Sequence, residues 1–438
     1  MSGSHWAHHM FPASRNLLLI TACSAEILRV RRTRVLNFQQ VTMPYLAAFV
    51  PPHWNVQHVD EAVTPVDFEV PADVVAITFH TPSAQHAYDI ADRFRRRGAT
   101  VVLGGPHVTL LPEEAQEHAD AIFVGEAESH WPRFLAEFET QCYRKRYCCD
   151  ETPSLDHVPS SRHDLLYRRD HTAGALFATR GCVHRCEFCT LAVMYKSNFR
   201  KRGVEAVAAE YGSFPGKVVI LWDDNIAGDI PYAKGLFRAL APHRKWWSAQ
   251  ASIHAAADDE FLELAARSGC KQLFIGLESI SQASVNGVSK GFNRVEEYAS
   301  AIARIHSHGI AVQAGIVFGF DHDTLSVFDD TVDFLEQTGV QNATFNILTP
   351  FPGTRLHQQL EAEGRILTRD WSRYNGRGDV VFAPRLMSAA ELLSGYRYAT
   401  ARFYSARSIC TRLAHSPVQL FWTLPLNVSY ALALRYRA

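Results

Sequence analysis

Three cysteines separated by short gaps form the most chemically informative stretch of the sequence. Cys182, Cys186 and Cys189 lie within residues 182–189, and Gly181 precedes them. Iron–sulfur clusters are bound by cysteine thiolates, and close spacing lets one loop reach several irons of the same cluster. Three ligands without an obvious fourth leave one iron open to a substrate or cofactor. We therefore predict a [4Fe-4S] cluster on this triad.

Zinc is the alternative metal for the same loop. A structural zinc site normally has four protein ligands, and His184 inside the loop could supply the fourth. The chain would then be a zinc-stabilised binding protein without turnover. Cys142, Cys148 and Cys149 lack matched spacing on a second element, so we expect thiols there and not a second metal site.

Composition narrows the class of protein. With 47% apolar and 20% charged residues the chain is typical of globular proteins. Nine cysteines in 438 residues do not make a disulfide scaffold, and their clustering favours metal chemistry in a reducing compartment, so we predict a cytoplasmic protein. A net charge of −1 supplies no cationic excess for a phosphate backbone. Nucleic acid is therefore not an expected partner.

The first third of the chain predicts a sheet whose strand ends carry ligand-binding loops. Apolar runs predict strands at residues 17–21, 56–59, 74–79, 100–103 and 121–124, and a helix at 84–97 ends before Gly98. Such alternation predicts a doubly wound, Rossmann-like α/β domain over residues 1–140. Ligands of such sheets bind at the carboxyl ends of the strands. The loops there are residues 81–83, 104–107 and 125–128.

A second alternation follows residues 141–171, which are polar, contain Pro153 and Pro159, and predict a linker. Strands are expected at residues 175–179, 217–222, 246–251, 272–277, 310–318 and 342–348. Six βα units in series predict a partial (β/α)6 barrel over residues 172–385, with its reactive site at the carboxyl ends of the strands. Residues 386–438 predict a small helical C-terminal region.

Three helices of the barrel have sequence signals at their starts. Asp258 is expected to cap a helix that runs to Gly269. Asn293 with Glu296 approximates a capping box, and residues 323–337 carry apolar positions at helical spacing.

Two apolar segments near the chain ends raise the question of membrane attachment. Residues 15–23 superficially resemble a short signal segment, but a first buried strand is the preferred interpretation. Residues 418–434 are interrupted by Pro425 and are shorter than the roughly 20 residues that a membrane span needs. We expect a packed or interfacial helix there, the latter giving peripheral membrane contact.

The triad, with aromatic Phe188 directly before its last cysteine, resembles the signature of the radical S-adenosylmethionine (SAM) superfamily. The resemblance implies that the open iron chelates the amine and carboxylate of SAM. Electron transfer from the cluster then yields a 5′-deoxyadenosyl radical that abstracts hydrogen from the substrate. It also implies an electron donor such as a flavodoxin or a ferredoxin. Phe188 is expected to be one of the cofactor-binding residues.

Further SAM contacts follow from the same resemblance at the ends of the barrel strands. Asp224 and Asn225 stand where the family places polar groups near the SAM amine, although this segment departs from the common Gly-Gly-Glu form. Ser252 follows the third strand, and Glu278 resembles the ribose-binding carboxylate. Gly315 belongs to a glycine-containing motif that lines the adenine, with His322 in place of its usual terminal Glu.

The N-terminal domain resembles the cobalamin-binding domain of one large radical SAM class. The match covers residues 59–61, 104–107 and 125–128. It lacks the DxHxxG motif through which some enzymes bind cobalt by a histidine. The resemblance implies a cobalamin site that includes Ser83, Gly104, Gly105 and Gly125.

Within that class the chain looks most similar to the bacterial hopanoid methylase group, through residues 272–280, 319–321, 348–354 and 364–367. The resemblance implies a cobalamin-dependent methyltransferase that acts on an unactivated carbon of a small-molecule, lipid or isoprenoid-like substrate. The alternative is an oxidative cyclase or carbon–carbon coupling enzyme whose N-terminal domain has lost cobalamin.

Overall fold

The computed structural model describes residues 14–30, 40–149, 152–166, 173–414, 416 and 418–435. Residues 1–13 of the predicted N-terminal domain and 167–171 of the predicted linker lie outside the described residues. The described chain folds into two parallel sheets, one after the other, each covered by helices.

The first sheet is six-stranded and parallel, with the order β2-β1-β3-β4-β5-β6. The chain moves outward from β1 in one direction to β2 and in the other to β3, which makes the crevice between β1 and β3 the switch point of the sheet. Its strands are β1 Arg15–Thr21, β2 Trp54–Asp60, β3 Val74–Thr78, β4 Thr100–Gly104, β5 Ala121–Val124 and β6 Arg146–Cys148.

Helices cover both faces of this sheet because its strands bury alternate residues on each side. Leu18 and Ile20 of β1 belong to one apolar core, whereas Leu17 and Leu19 belong to the other. The helices are α1 Ala25–Val30, α2 Thr42–Ala47, α3 Ala84–Arg96, α4 Pro106–Leu110, α5 Pro112–Glu117 and α6 Trp131–Glu139. The doubly wound fold predicted from the sequence is confirmed.

Strand β6 lies inside the stretch that the sequence analysis assigned to a linker. It pairs in parallel with the edge strand β5, and Tyr147 stacks on Phe123 with ring centroids 4.9 Å apart. Three residues are too few to show a period-2 pattern, which is why β6 was not predicted. Where the domains begin and end stays a prediction, although Arg146–Cys148 belongs to the first sheet.

The second sheet is also six-stranded and parallel, with the order β14-β13-β12-β11-β10-β7. This serial order is that of the predicted partial barrel, and each predicted strand is present. Its strands are β7 Gly174–Leu176, β10 Val218–Leu221, β11 Trp246–Ala251, β12 Cys270–Glu278, β13 Ala311–Phe318 and β14 Asn342–Ile347. Strands β8 Thr179–Arg180 and β9 Arg200–Lys201 form a separate antiparallel pair.

The barrel strands also alternate between two environments. On β12, Leu273, Ile275 and Leu277 are buried in the core under the helices, so Gly276 and Glu278 face the opposite side. The helices are α7 Thr190–Met194, α8 Val204–Ser213, α9 Ile230–Leu240, α10 Asp259–Arg267, α11 Gln282–Asn286, α12 Tyr298–Ser307, α13 Val327–Gln337 and α14 Arg355–Ala362.

Of the predicted helix starts, only that at Asp258 is confirmed; its side chain accepts a hydrogen bond from the Phe261 amide at 2.9 Å. The predicted capping box at Asn293 is wrong. Its side chain instead donates to the Gly276 carbonyl oxygen at 3.0 Å, and α12 begins after Glu297. Asp323 also lies outside its predicted helix, because its carboxylate accepts bonds from the Gly319 and Phe320 amides.

The C-terminal helices are α15 Ala389–Phe403, α16 Ala406–Ala414 and α17 Leu420–Arg435. Helix α17 packs against the first residues of the barrel strands. Trp422 donates to Gln272 at 3.1 Å, and Gln313 donates to the Tyr430 hydroxyl at 3.2 Å. The opposite side of α17 is apolar and exposed, at Leu420, Phe421, Leu424, Val428 and Leu432. No helix in the described ranges is both long and apolar enough to cross a bilayer.

Candidate active site

The cysteine loop leaves β8 through a turn that only glycine can make. Gly181 has φ +87°, and a Cβ atom there would lie 1.9 Å from the Asn198 carbonyl oxygen. Further along, the Glu187 amide donates to the Val288 carbonyl oxygen, and the Leu356 amide donates to the Glu187 carbonyl oxygen. The loop is therefore held on one side by β9 and on the other by the segments that follow β12 and β14.

The chemistry of the three thiols fits an iron–sulfur cluster. Burial raises the pKa of Cys186 to about 11 and that of Cys189 to about 12, so both would stay protonated at neutral pH without a metal to supply positive charge. Cys182 completes the donor set and lies 3.9 Å from the Asn225 side-chain nitrogen. A cluster bound here would occupy the carboxyl-terminal end of the barrel.

The side chain considered as a fourth zinc ligand packs against an aromatic ring. The His184 ring stacks on Phe292 with centroids 3.8 Å apart and planes 11° apart. The choice of an iron–sulfur cluster over zinc at this loop, and the role of Cys142, Cys148 and Cys149, stay predictions.

The segment after β10 stabilises the start of the cysteine loop through hydrogen bonds. The Asp224 carboxylate accepts a hydrogen bond from the Gly181 amide at 2.8 Å, and burial raises its pKa. Its neighbour Asp223 is fully buried and accepts bonds from the Ala178 and Thr179 amides; burial raises its pKa to about 7. Asp224 was predicted, but the sequence did not single out Asp223.

Asn225 connects the triad to the next strand. Its side-chain oxygen accepts from the Ser252 amide at 2.9 Å, while its nitrogen approaches the Cys182 sulfur. The side chain is buried. Asn225 and Ser252 are thus brought together beside the triad, as the predicted SAM site requires, although their contact with SAM stays a prediction.

Phe188 and Gly315 are packed into the barrel. The Phe188 ring lies edge-on to Phe320 at 6.2 Å. Gly315 leaves room for an aromatic ring, since a Cβ there would lie 2.7 Å from the Phe274 side chain. Both positions are compatible with the predicted cofactor contacts, which stay predictions.

Glu278 ends β12 in a left-handed backbone conformation, with φ +66°, which non-glycine residues adopt at a cost. Its carboxylate forms an ion pair with Lys290 at 2.5 Å, and both side chains are largely buried. Burial disfavours the charged ammonium, but the ion pair with Glu278 outweighs this and raises the pKa of Lys290. Gly276 gives the pair room, because a Cβ there would lie 2.4 Å from the carboxylate.

Lys290 was not predicted from the sequence. It stands 12 residues after its partner, and no spacing rule links a strand-end carboxylate to a lysine in the following loop. The available signal was chemical, since a predicted buried carboxylate needs a cation.

Four charged residues join the cysteine loop to the first sheet. Arg180 binds Glu126 at 2.7 Å and Glu128 at 2.6 Å, and Arg200 also binds Glu126. Burial opposes ionisation of Glu128, yet Arg180 holds its pKa below the usual range. Residues 125–128 were expected at a ligand-binding loop, but their contact with the barrel was not predicted. We call these four residues the interdomain clamp.

A cavity of about 350 Å³ lies between the two sheets. Gly104, Gly105 and Gly125 line it from the first sheet, and Asp224 with Trp222 lines it from the barrel. Gly105 has φ +101°, and a Cβ there would lie 2.5 Å from the Thr78 hydroxyl. A corrinoid would be held at this edge of the first sheet, because the cavity covers the carboxyl ends of β1, β3, β4 and β5.

Ser83 is not among the residues around the cavity. It is buried at the end of the short turn Thr81–Ser83, before α3. The structure therefore brings together three of the four residues predicted for cobalamin, and the assignment of all four stays a prediction.

Two family models match the two sheets in succession. The B12 binding domain model matches residues 30–135, and the radical SAM superfamily model matches residues 176–335. A third model, a domain of unknown function, matches residues 354–421.

Curated relatives match most of the chain. Bacteriochlorophyllide d C-12(1)-methyltransferase of Chlorobaculum tepidum is 30% identical over 87% of this chain and 87% of its own length. Hopanoid C-2 methylase of Rhodopseudomonas palustris is 26% identical over 84% of this chain and 71% of its own length.

A solved structure shares the fold of both domains. The radical SAM methyltransferase TsrM of Kitasatospora setae, with cobalamin and a [4Fe-4S] cluster bound, superposes with a TM-score of 0.64. The superposition covers 89% of this chain and 88% of that one, at 17% identity.

Proposed function

Since the chain belongs to the cobalamin-dependent methyltransferase family of radical SAM enzymes, we propose that it methylates an unactivated carbon of a large apolar substrate. The observation that carries the proposal is the shared cavity. Its walls come from the ligand-binding edge of the first sheet and from the strand ends that surround the cysteine loop.

The chain's own residues would position the cofactors. Cys182, Cys186 and Cys189 would hold the cluster, which with SAM and cobalamin supplies the radical and methyl-transfer chemistry. Glu278, fixed by Lys290, would orient the SAM ribose. Asn225 would hold the cysteine loop next to Ser252, because its side chain contacts both Cys182 and the Ser252 amide. The interdomain clamp would keep the two cofactor sites facing each other.

The substrate class is proposed from the cavity and the relatives together. The names of the two relatives give a chlorophyll-type pigment and a hopanoid as substrates, and both are largely apolar ring systems. Apolar side chains that include Phe177, Trp222 and Met194 line the cavity. A lipid, isoprenoid-like or tetrapyrrole ring system would suit this lining.

The reaction is tested with the cobalamin-loaded enzyme, SAM carrying a 13C-labelled methyl group and extracts of apolar metabolites. We expect a product heavier by one labelled methyl group, and none from the variant Glu278→Gln. A product formed without the label would overturn methyl transfer in favour of cyclisation or coupling.

Two further partners are part of the proposal. The cluster needs a one-electron reductant, for which a flavodoxin or ferredoxin is suited. Peripheral contact between the exposed side of α17 and a lipid surface, and a cytoplasmic location, stay predictions.

A further inference from the structure

One imidazole faces the cavity between the two sheets. Among the described residues that line it, His80 is the single histidine, and cysteine is absent from the lining. Nitrogen donors of this type are the commonest metal ligands that proteins supply.

His80 lies two residues after the end of β3. Ala76, Ile77, Thr78 and Phe79 line the cavity together with His80, so the carboxyl end of β3 forms one part of the cavity wall. Because β3 borders the switch point, its end is where ligands of doubly wound sheets bind.

The backbone around His80 is fixed. The residue is extended, with φ −98° and ψ 164°, and its carbonyl oxygen accepts from the Ser83 amide at 2.9 Å. Thr81 and Ser83 on the following turn are buried. The imidazole is thus presented from an anchored turn and not from a free loop.

Within the described ranges the His80 ring has no hydrogen-bond or ion-pair partner. Other histidines of the first domain are engaged: His58 with Thr21, His86 with Glu61 and His118 with Asp92. The His80 residue is exposed, and the protein packed around it lowers the pKa of its ring, which favours the neutral form with a nitrogen lone pair.

We propose that a ring nitrogen of His80 would coordinate the cobalt of a corrinoid bound in this cavity. The proposal rests on cobalamin binding in the cavity. His80 is not part of a DxHxxG motif, which this chain lacks, so a different loop would supply the nitrogen. The bond is dative: a ring nitrogen donates its lone pair, and no electron or proton is transferred.

The test uses the full-length protein labelled with 15N-histidine and loaded with unlabelled cobalamin. Electron paramagnetic resonance of the Co(II) form detects a nitrogen bound to cobalt through the splitting that its nucleus adds to each cobalt line. We expect each cobalt line to split into a doublet in the labelled protein and into a triplet in the unlabelled protein. His80→Ala should lose the splitting, and His118→Ala should keep it.

Other outcomes overturn the assignment. A triplet in the labelled protein would mean that the cofactor's own base is bound. A doublet that survives His80→Ala would mean another histidine, and an unsplit wild-type spectrum would mean no nitrogen ligand. If His80→Ala fails to fold, the labelled wild-type spectrum still decides between histidine and the cofactor's base.

Potentiometry is the second readout. Loss of an axial donor makes Co(II) easier to reduce, so His80→Ala should shift the Co(II)/Co(I) potential to a less negative value than that of His118→Ala. An unchanged potential would contradict the assignment. Failure of the wild-type protein to retain cobalamin would instead refute the proposed function.

Discussion

The buried pair of Glu278 and Lys290 brings a carboxylate and an ammonium group next to the cysteine loop. Only 13% and 12% of the two side chains are exposed, so water does little to stabilise either charge alone. Each member of such a pair depends on the other far more than surface charges do.

Lys290→Met should destabilise the protein by about 3–5 kcal/mol, because it leaves the Glu278 carboxylate buried without a counter-charge. The double variant Glu278→Gln with Lys290→Met should be more stable than the single Lys290→Met variant. Urea unfolding followed by circular dichroism measures both. Equal stability of the single and double variants would show that the charges are not coupled.

Cys186→Ser should abolish cluster binding, because two thiolates cannot replace the three that the loop provides. Iron and sulfide per chain, with absorbance in the visible range after anaerobic reconstitution, measure the loss. Cys410→Ser is the matched control, since Cys410 is exposed on α16. A full iron content in Cys186→Ser would contradict the assignment of the triad.

The triad could be predicted from the sequence because its ligands lie within eight residues. Glu278 and Asn225 could be placed because the ends of parallel strands meet at one edge. Lys290 and His80 could not, because their significance depends on what packs around them. The stacking of His184 on Phe292 joins residues that are distant in sequence.

At the scale of elements, the antiparallel pair β8–β9 fixes where the cysteine loop begins. Gly181 lies against the backbone of Asn198, just before β9, with no space for a side chain. The loop therefore depends on a backbone contact as well as on its cysteines.

Gly181→Ala should impair cluster binding while most of the fold remains. Both the left-handed φ and the contact with Asn198 oppose a side chain at this position. Gly235→Ala is the control, because no atom lies within 4 Å of a Cβ there and a helix-interior alanine should stabilise α9 by about 0.5–1 kcal/mol. Iron content and thermal unfolding measure both; normal iron content in Gly181→Ala would contradict the prediction.

Elements with many apolar residues could be predicted from the sequence. Very short strands and helix starts that depend on tertiary contacts could not. Long apolar runs such as 311–318, in which most residues are buried on both faces of the sheet, predict a strand. Strand β6 depends on pairing with β5 for its existence, and the start of α12 is set by packing, since Asn293 bonds to Gly276. Tertiary contacts decided both cases.

At the scale of the molecule, Glu210 on α8 joins three parts of the chain. It accepts from Tyr45 of the first domain at 2.9 Å and from the Ser161 amide at 3.0 Å, and it pairs with Arg202 at 2.7 Å. Burial alone would raise the pKa of Glu210, but His163, Arg202 and Ser161 together lower it to about 2.

The lowered pKa predicts acid-sensitive stability. The folded state binds fewer protons than the unfolded state between pH 4.5 and about 2, so the stabilisation is complete above pH 4.5 and is lost as the pH falls. The difference in the free energy of unfolding between wild type and Glu210→Gln should decrease by about 2 kcal/mol from pH 6 to pH 3. Urea unfolding at each pH measures this difference.

Glu205→Gln is the matched control, because Glu205 is exposed on the same helix. Its stability difference from wild type should change little over the same range. A difference for Glu210→Gln that stays constant with pH would show that Glu210 titrates alike in the folded and unfolded states.

The interdomain clamp constrains how this architecture can be inherited. Arg180 and Arg200 belong to the barrel, whereas their partners Glu126 and Glu128 belong to the first domain. A hybrid gene that joined this first domain to a barrel lacking those arginines would bury two carboxylates without counter-charges. The two halves must therefore be exchanged together or co-adapt, and recombination between distant relatives should succeed only where the acidic and basic pairs are transferred as a set.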